Sequence, residues 1–97
     1  MNLDLHTIFR TPTQVRIIEE LLKRPNEYFT ISRMAKLIDS SPSAISSRIG
    51  ALSELGIIKF IPGSEKARIF YLNKNSEVTK ILIEFYMKLR KIEKGDI

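Results

Sequence analysis

The sequence predicts a small α+β domain, mostly helical: three helices, a short antiparallel hairpin and one long final helix. Three observations predict it. Apolar residues recur at helical spacing over 13–24, 42–55 and 76–94. Proline and glycine stand at the borders of these stretches. Between the last two, runs with strand-like alternation flank a Pro62-Gly63 turn.

Residues 1–12 form an N-terminal arm. Leu3, Leu5, Ile8 and Phe9 are apolar, so the arm packs against something, as a short strand or a helical turn. The first long helix is expected over 13–24, capped by Thr11 or Thr13 with Pro12 at its start. Val15, Ile18, Leu21 and Leu22 form its inward stripe, and Pro25-Asn26 ends it. Residues 28–30 are too few to assign, and pairing with the later hairpin as a third strand stays open. A second helix is expected over 31–38 with Thr30 as N-cap, contributing Met34, Ala35, Leu37 and Ile38 to the interior.

Asp39-Ser40-Ser41 then makes a tight turn. Ser41 followed by Pro42 is a strong helix start. The third helix is expected over 42–55, with Ile45, Ile49 and Leu52 on one face and Leu55 continuing it. Gly56 stops it, because glycine reaches the left-handed conformation that closes a helix. Strands are expected over 57–61 and 67–72, joined by a polar, flexible tip at 62–66. Ser76 caps the last helix, and Glu77 suits its first turn. There is no internal repeat.

Ninety-seven residues with 43% hydrophobic content suit one domain with a modest core, for which self-association is a ready source of added stability. The formal charge of +5 favours a polyanionic partner. The chain has no cysteine, which excludes a disulfide framework and a thiolate metal site. No basic-then-apolar leader is present, so a cytoplasmic location is expected. The apolar run near the C-terminus is broken by Lys80, Glu84 and Lys88, so no membrane partner is expected.

Catalytic chemistry has no foothold. His6 is the single histidine, the acidic residues are scattered, and the four glycines form no phosphate loop. No enzyme activity, metal or cofactor is expected. Nucleic-acid recognition has more support. Pro42, Ser43, Ser46 and Ser47, with Arg48 at the edge, put short polar side chains on the outer face of the third helix. Such a face lets a helix backbone approach base edges and phosphates. Serine is a mediocre helix former, so a mid-helix cluster needs a reason beyond solvation. Thr30, Ser32 and Arg33 near the start of the second helix, and Ser41 at the start of the third, are expected on the DNA backbone, where exposed amides favour phosphate. On the hairpin, Ser64, Lys66 and Arg68, with Lys59 across from them, are expected to reach phosphates or the minor groove. The plainer reading of those charges is protection of an exposed sheet edge.

The last helix carries Val78, Leu82, Phe85, Leu89 and Ile92 at spacings of 4, 3, 4 and 3, with Ile81 and Tyr86 beside this seam. It is expected to pair with its symmetry mate. The competing arrangement folds it back onto the first long helix.

The stretch from Ser41 through Ile58 (SPSAISSRIGALSELGII) is similar to the recognition helix and first wing strand of the MarR and ArsR groups of transcription regulators. Those groups place a small polar run before an aliphatic residue, then a Leu-x-x-x-Gly-aliphatic exit, here Leu52 to Ile57. With its flanking helices the chain therefore resembles a winged helix-turn-helix protein with a two- or three-stranded wing sheet. Its small size resembles compact regulators of archaea and archaeal viruses. The resemblance implies a homodimer that binds a short, roughly palindromic operator on double-stranded DNA, half-sites ~34–36 Å apart. The arm would cover 1–12, the DNA-binding domain 13–75 and the dimerisation helix 76–97. Helix 42–55 would lie in the major groove and wing 57–72 on the backbone or minor groove. Two departures stand out: most MarR-type chains are longer, and the Cys or His clusters of ArsR-type metal sensors are missing. A protein–protein interaction module of the same fold, without specific DNA binding, is the alternative function.

Overall fold

A computed structural model describes residues 5–64 and 66–95 of the chain. Leu3 and the side chain of His6, each considered above, and Glu65 within the expected hairpin tip lie outside the described positions. The element order is α1 (Leu5–Ile8), α2 (Pro12–Lys23), β1 (Tyr28–Phe29), α3 (Ile31–Leu37), α4 (Pro42–Glu54), β2 (Ile58–Phe60), β3 (Phe70–Leu72) and α5 (Glu77–Lys94).

Four helices begin the same way. The hydroxyls of Thr11, Thr30, Ser41 and Ser76 accept from the backbone N–H three residues on, at 3.1, 3.0, 3.1 and 3.4 Å. Each satisfies one of the amides a helix start leaves unpaired. Pro12 and Pro42 follow two of these caps, where a missing N–H is harmless. Of the arm, left open by the sequence, Leu5–Ile8 are helical, and the Gln14 amide nitrogen donates to the Ile8 carbonyl at 2.8 Å within the interior.

The three strands form one antiparallel sheet in the order β1-β3-β2, so residues 28–29 are the third strand. Tyr28 pairs with Tyr71 and Phe29 with Phe70; Lys59 pairs with Tyr71 and Phe60 with Phe70. Strand alternation therefore sorts the sheet into two faces. Phe29, Ile58, Phe70 and Leu72 are buried on the helix side, where Phe29 and Phe70 stack at 5.9 Å. Tyr28, Lys59 and Tyr71 share the outer side, the two tyrosines meeting edge to face at 5.4 Å. Helices α2, α3 and α4 close the interior with Ile17, Leu21, Met34, Ile45, Ile49 and Leu52, all essentially without exposure.

The hairpin departs from its expected length. Strands predicted over 57–61 and 67–72 extend only over Ile58–Phe60 and Phe70–Leu72. The cause is Arg68, whose φ of 50° is left-handed and takes the chain out of the extended ladder. The tip is also tied rather than loose. The Ser64 hydroxyl donates to the Ile61 carbonyl at 2.6 Å and accepts from the Ile69 amide at 3.2 Å. The Ser64 carbonyl takes the Arg68 amide, and the Ile61 amide reaches the Ile69 carbonyl at 2.8 Å.

The seam of α5 divides between the two arrangements the sequence offered. Leu82 is buried and Val78 packs against the core, as a folded-back helix requires. Beyond them Phe85, Leu89 and Ile92 stand 53%, 42% and 56% exposed, with exposed Ile81 beside them. Leu5, Ile8 and Phe9 border the same surface, where α1 and α5 flank an apolar groove of about 430 Å³.

Where α4 gives way to the sheet, Gly56 has a φ of 83°, and a Cβ there would stand 3.3 Å from the hydroxyl oxygen of Ser76, the cap of α5. Asn73 fastens the same corner, its side-chain amide donating to the Gly56 carbonyl at 3.1 Å. Replacing Gly56 by Ala should therefore destabilise the fold by ~1–2 kcal/mol, the cost of a left-handed non-glycine residue. A fall in the urea midpoint at unchanged slope is the expected result.

Candidate nucleic-acid interface

Helix α4 owes its orientation to burial. Ile45, Ile49 and Leu52 point into the core, so the opposite side of a 3.6-residue helix must face out. Ser43, Ser47 and Gly50 are exposed along that side, with Ser46 and Arg48 half-buried at its flanks. Gly50, not singled out from the sequence, has open space where a Cβ would be. A glycine in mid-helix lowers helix stability relative to alanine, so its place on the exposed line counts against a purely structural origin.

The wing comes to one flank of this face. The Arg68 guanidinium nitrogen Nη1 donates to Ser46 Oγ at 3.2 Å, a contact across 22 residues of sequence. The same guanidinium lies over the Phe60 ring, 5.4 Å from ring centre to Cζ. Phe60 was not singled out from the sequence, because strand alternation gives no sign of a cation lying over a ring.

Other expected contacts are arranged less simply. Lys59 does not join Arg68, because strand alternation puts it on the outer sheet face beside Tyr71. It borders a polar depression of about 250 Å³ with Tyr28, Tyr71, Asn26 and Lys74. Thr30 and Ser41 have their hydroxyl oxygens turned to cap amides, leaving the hydroxyl protons to donate. Both hydrogen-bonding sides of the Ser64 hydroxyl are engaged in closing the wing loop, which makes it a strut of that loop. Ser32 and Pro42 are exposed. Lys66 is exposed at the wing tip.

Arg33 is the most constrained of the set. It donates to the Tyr28 carbonyl at 2.6 Å, pairs with Glu27, and lies 4.7 Å from the Phe29 ring centre. The hydrogen bond from Arg33 holds the Glu27 carboxyl below its ordinary pKa. The charges of Arg33 and Arg24 act in the same direction, and desolvation opposes them. The pair is thus fully ionised at neutral pH and is lost only as pH falls through that lowered value. At neutral pH the Glu27 carboxylate therefore offsets part of the Arg33 charge.

The electrostatic contrast with the last helix is sharp. Residues 30–72 hold six Lys or Arg and three Asp or Glu, which accounts for most of the chain's charge of +5. Among the described residues, Arg48, Lys59 and Lys66 have no acidic partner, whereas α5 pairs Lys80 with Glu77, Lys88 with Glu84 and Arg90 with Glu93. No group of three or more His, Cys, Asp or Glu among the described residues could hold a metal ion. No described helix is long and apolar enough to cross a membrane.

No protein-family model and no curated protein sequence matches the chain. Among solved structures, it is similar to the adhesin competence repressor AdcR from Streptococcus pyogenes, with a TM-score of 0.63 at 18% identity. It is also similar to ZitR of Lactococcus lactis, solved as a doubly substituted mutant in apo form, with a TM-score of 0.61 at 16% identity. The matches cover 95% and 90% of this chain but 64% and 65% of those chains, so it spans less than two-thirds of their length. At such identities the likeness speaks for the fold. The chain has the winged helix-turn-helix fold of MarR-type regulators, with a three-stranded sheet and a long final helix.

Proposed function

We propose that the chain is a sequence-specific, double-stranded DNA-binding transcription regulator acting as a homodimer in the cytoplasm. Residues 13–75 form the DNA-binding unit and 76–97 the dimerisation helix. The observation that carries this reading is the hydrogen bond between Arg68 of the wing and Ser46 of α4. It joins the cationic loop and the exposed serine face of the helix into one surface. In the complex α4 lies in the major groove, with Ser43, Ser46, Ser47 and Arg48 at base edges or phosphates. Lys66 and the free edge of the Arg68 guanidinium meet the backbone or minor groove. Thr30, Ser32, Arg33 and Ser41 contact phosphates from the turn side.

The dimer follows from the apolar half of α5. Phe85, Leu89 and Ile92 are too exposed for a finished monomer surface, and with Val78, Leu82 and Tyr86 they continue one seam. A twofold axis through that seam presents two copies of α4 to half-sites ~34–36 Å apart. A protein-binding platform is the second reading, favoured by exposed Tyr28 beside Tyr71 and Lys59 on the outer sheet face. Selection of bound sequences from a random DNA pool separates the two. A palindromic consensus supports the regulator, and affinity no better than that of any basic protein supports the platform.

Three variants sharpen the test. Arg68→Ala should weaken binding on every sequence and flatten the salt dependence by about one counterion; an unchanged slope removes Arg68 from the phosphate contacts. Gly50→Ala should raise stability by ~0.5–1 kcal/mol, since alanine is the better helix former and meets nothing there, while lowering DNA affinity by crowding the duplex. Undiminished affinity would take Gly50 off the contact face. Charged residues at both Phe85 and Leu89 should halve the mass seen by light scattering at micromolar concentration, and a monomeric parent protein would refute the seam.

A further inference from the structure

We infer that Arg68 fixes the hydrogen-bonding sense of Ser46, so that this position of α4 reads an acceptor on a base edge. The inference rests on the proposal that α4 faces DNA and adds a specificity-determining role to a wing residue.

A serine hydroxyl both donates and accepts, and when free it suits either kind of base atom. A guanidinium only donates. Where Nη1 of Arg68 stands 3.2 Å from Ser46 Oγ, the serine oxygen is therefore the acceptor, and its proton must point elsewhere. Three features keep the guanidinium there. It lies against the Phe60 ring. The left-handed backbone of Arg68 sets the direction from which its side chain leaves the wing. The Ser64 carbonyl holds the Arg68 amide, so the loop that carries it is closed. The neighbouring serine has the opposite sense. Ser47 Oγ donates to the Ala44 carbonyl at 2.9 Å, which leaves lone pairs facing outward.

Ser46 thus keeps its proton and one lone pair while Ser47 keeps only lone pairs, so the two adjacent serines present a donor-biased 46 beside an acceptor at 47. A donor held at 46 favours guanine N7 or O6, adenine N7 or thymine O4. It opposes the amino group of cytosine. One hydrogen bond of this kind corresponds to roughly three- to tenfold discrimination. Arg68 here is a positioning residue: it acts on base choice through Ser46, in addition to its own charge.

The test starts from the consensus selected by the wild-type protein. Binding is then measured for wild type, Ser46→Ala, Arg68→Ala, Arg68→Lys and the Ser46→Ala/Arg68→Ala double variant. The duplexes are the consensus and every single-base-pair replacement within one half-site, with thermal melts confirming that each variant is folded. Ser46→Ala and Arg68→Ala should each flatten the preference at one and the same base pair, by roughly three- to tenfold. The double variant should flatten it no further. Arg68→Lys keeps the charge but not the flat, forked head. It should retain more overall affinity than Arg68→Ala while still losing that preference. If Arg68→Ala lowers affinity by one common factor and leaves the ranking of duplexes intact, Arg68 is a phosphate anchor only and the inference is overturned. A wild type that ranks no duplex above another overturns the proposed function itself, which is a different result from a ranking that ignores Arg68.

Discussion

The burial of Ile45, Ile49 and Leu52 is the constraint from which the other features follow. These three residues have no measurable exposure, and they lie on one side of a thirteen-residue helix. Rotating α4 by even a third of a turn would bring serines into the core and isoleucines into water, at several kcal/mol for the aliphatic groups alone. The outward presentation of Ser43, Ser47 and Gly50 is thus a consequence of core packing. The serine face needs no separate device to hold it outward.

The wing is held by a different kind of force. Its strands are only three residues each, too short to be rigid by ladder bonds alone. Aromatic contacts compensate: Phe70 packs on Phe29 and Phe60, and Phe60 in turn carries Arg68. Ser64 closes the loop from within. A chain of contacts therefore runs from the buried sheet through an aromatic ring to a cation and on to a serine of α4. Arg33 shows the opposite solution on the far edge of the sheet, where a carboxylate takes up the cation.

The two ends of α5 belong to different environments. Val78 and Leu82 complete the core of this chain, while the later apolar residues lie on an open surface continuous with α1. Pairs of opposite charge three or four residues apart line its polar side and keep the helix soluble there without adding much stability. A helix built this way has one end committed to the core and the other left with an uncovered apolar strip, which is the strip the proposed twofold dimer would use.

The four longer helices, their caps and the face that α4 buries were legible in residue order alone. Those features rest on short-range rules: Ser41-Pro42 starts a helix, Gly56 ends one, and isoleucines at 45 and 49 with Leu52 must share a side. The heptad-like seam of α5 was legible too, but not its division, because spacing cannot say how far along the helix the core extends. The neighbourhood of each cation was settled only by folding. Arg68, Arg33 and Lys59 look alike in a basic segment, yet one is carried on a ring against Ser46, one is neutralised by Glu27, and one is turned to the outer face by strand parity. The partners of a long charged side chain are set by residues far away in the chain, and no local pattern encodes them.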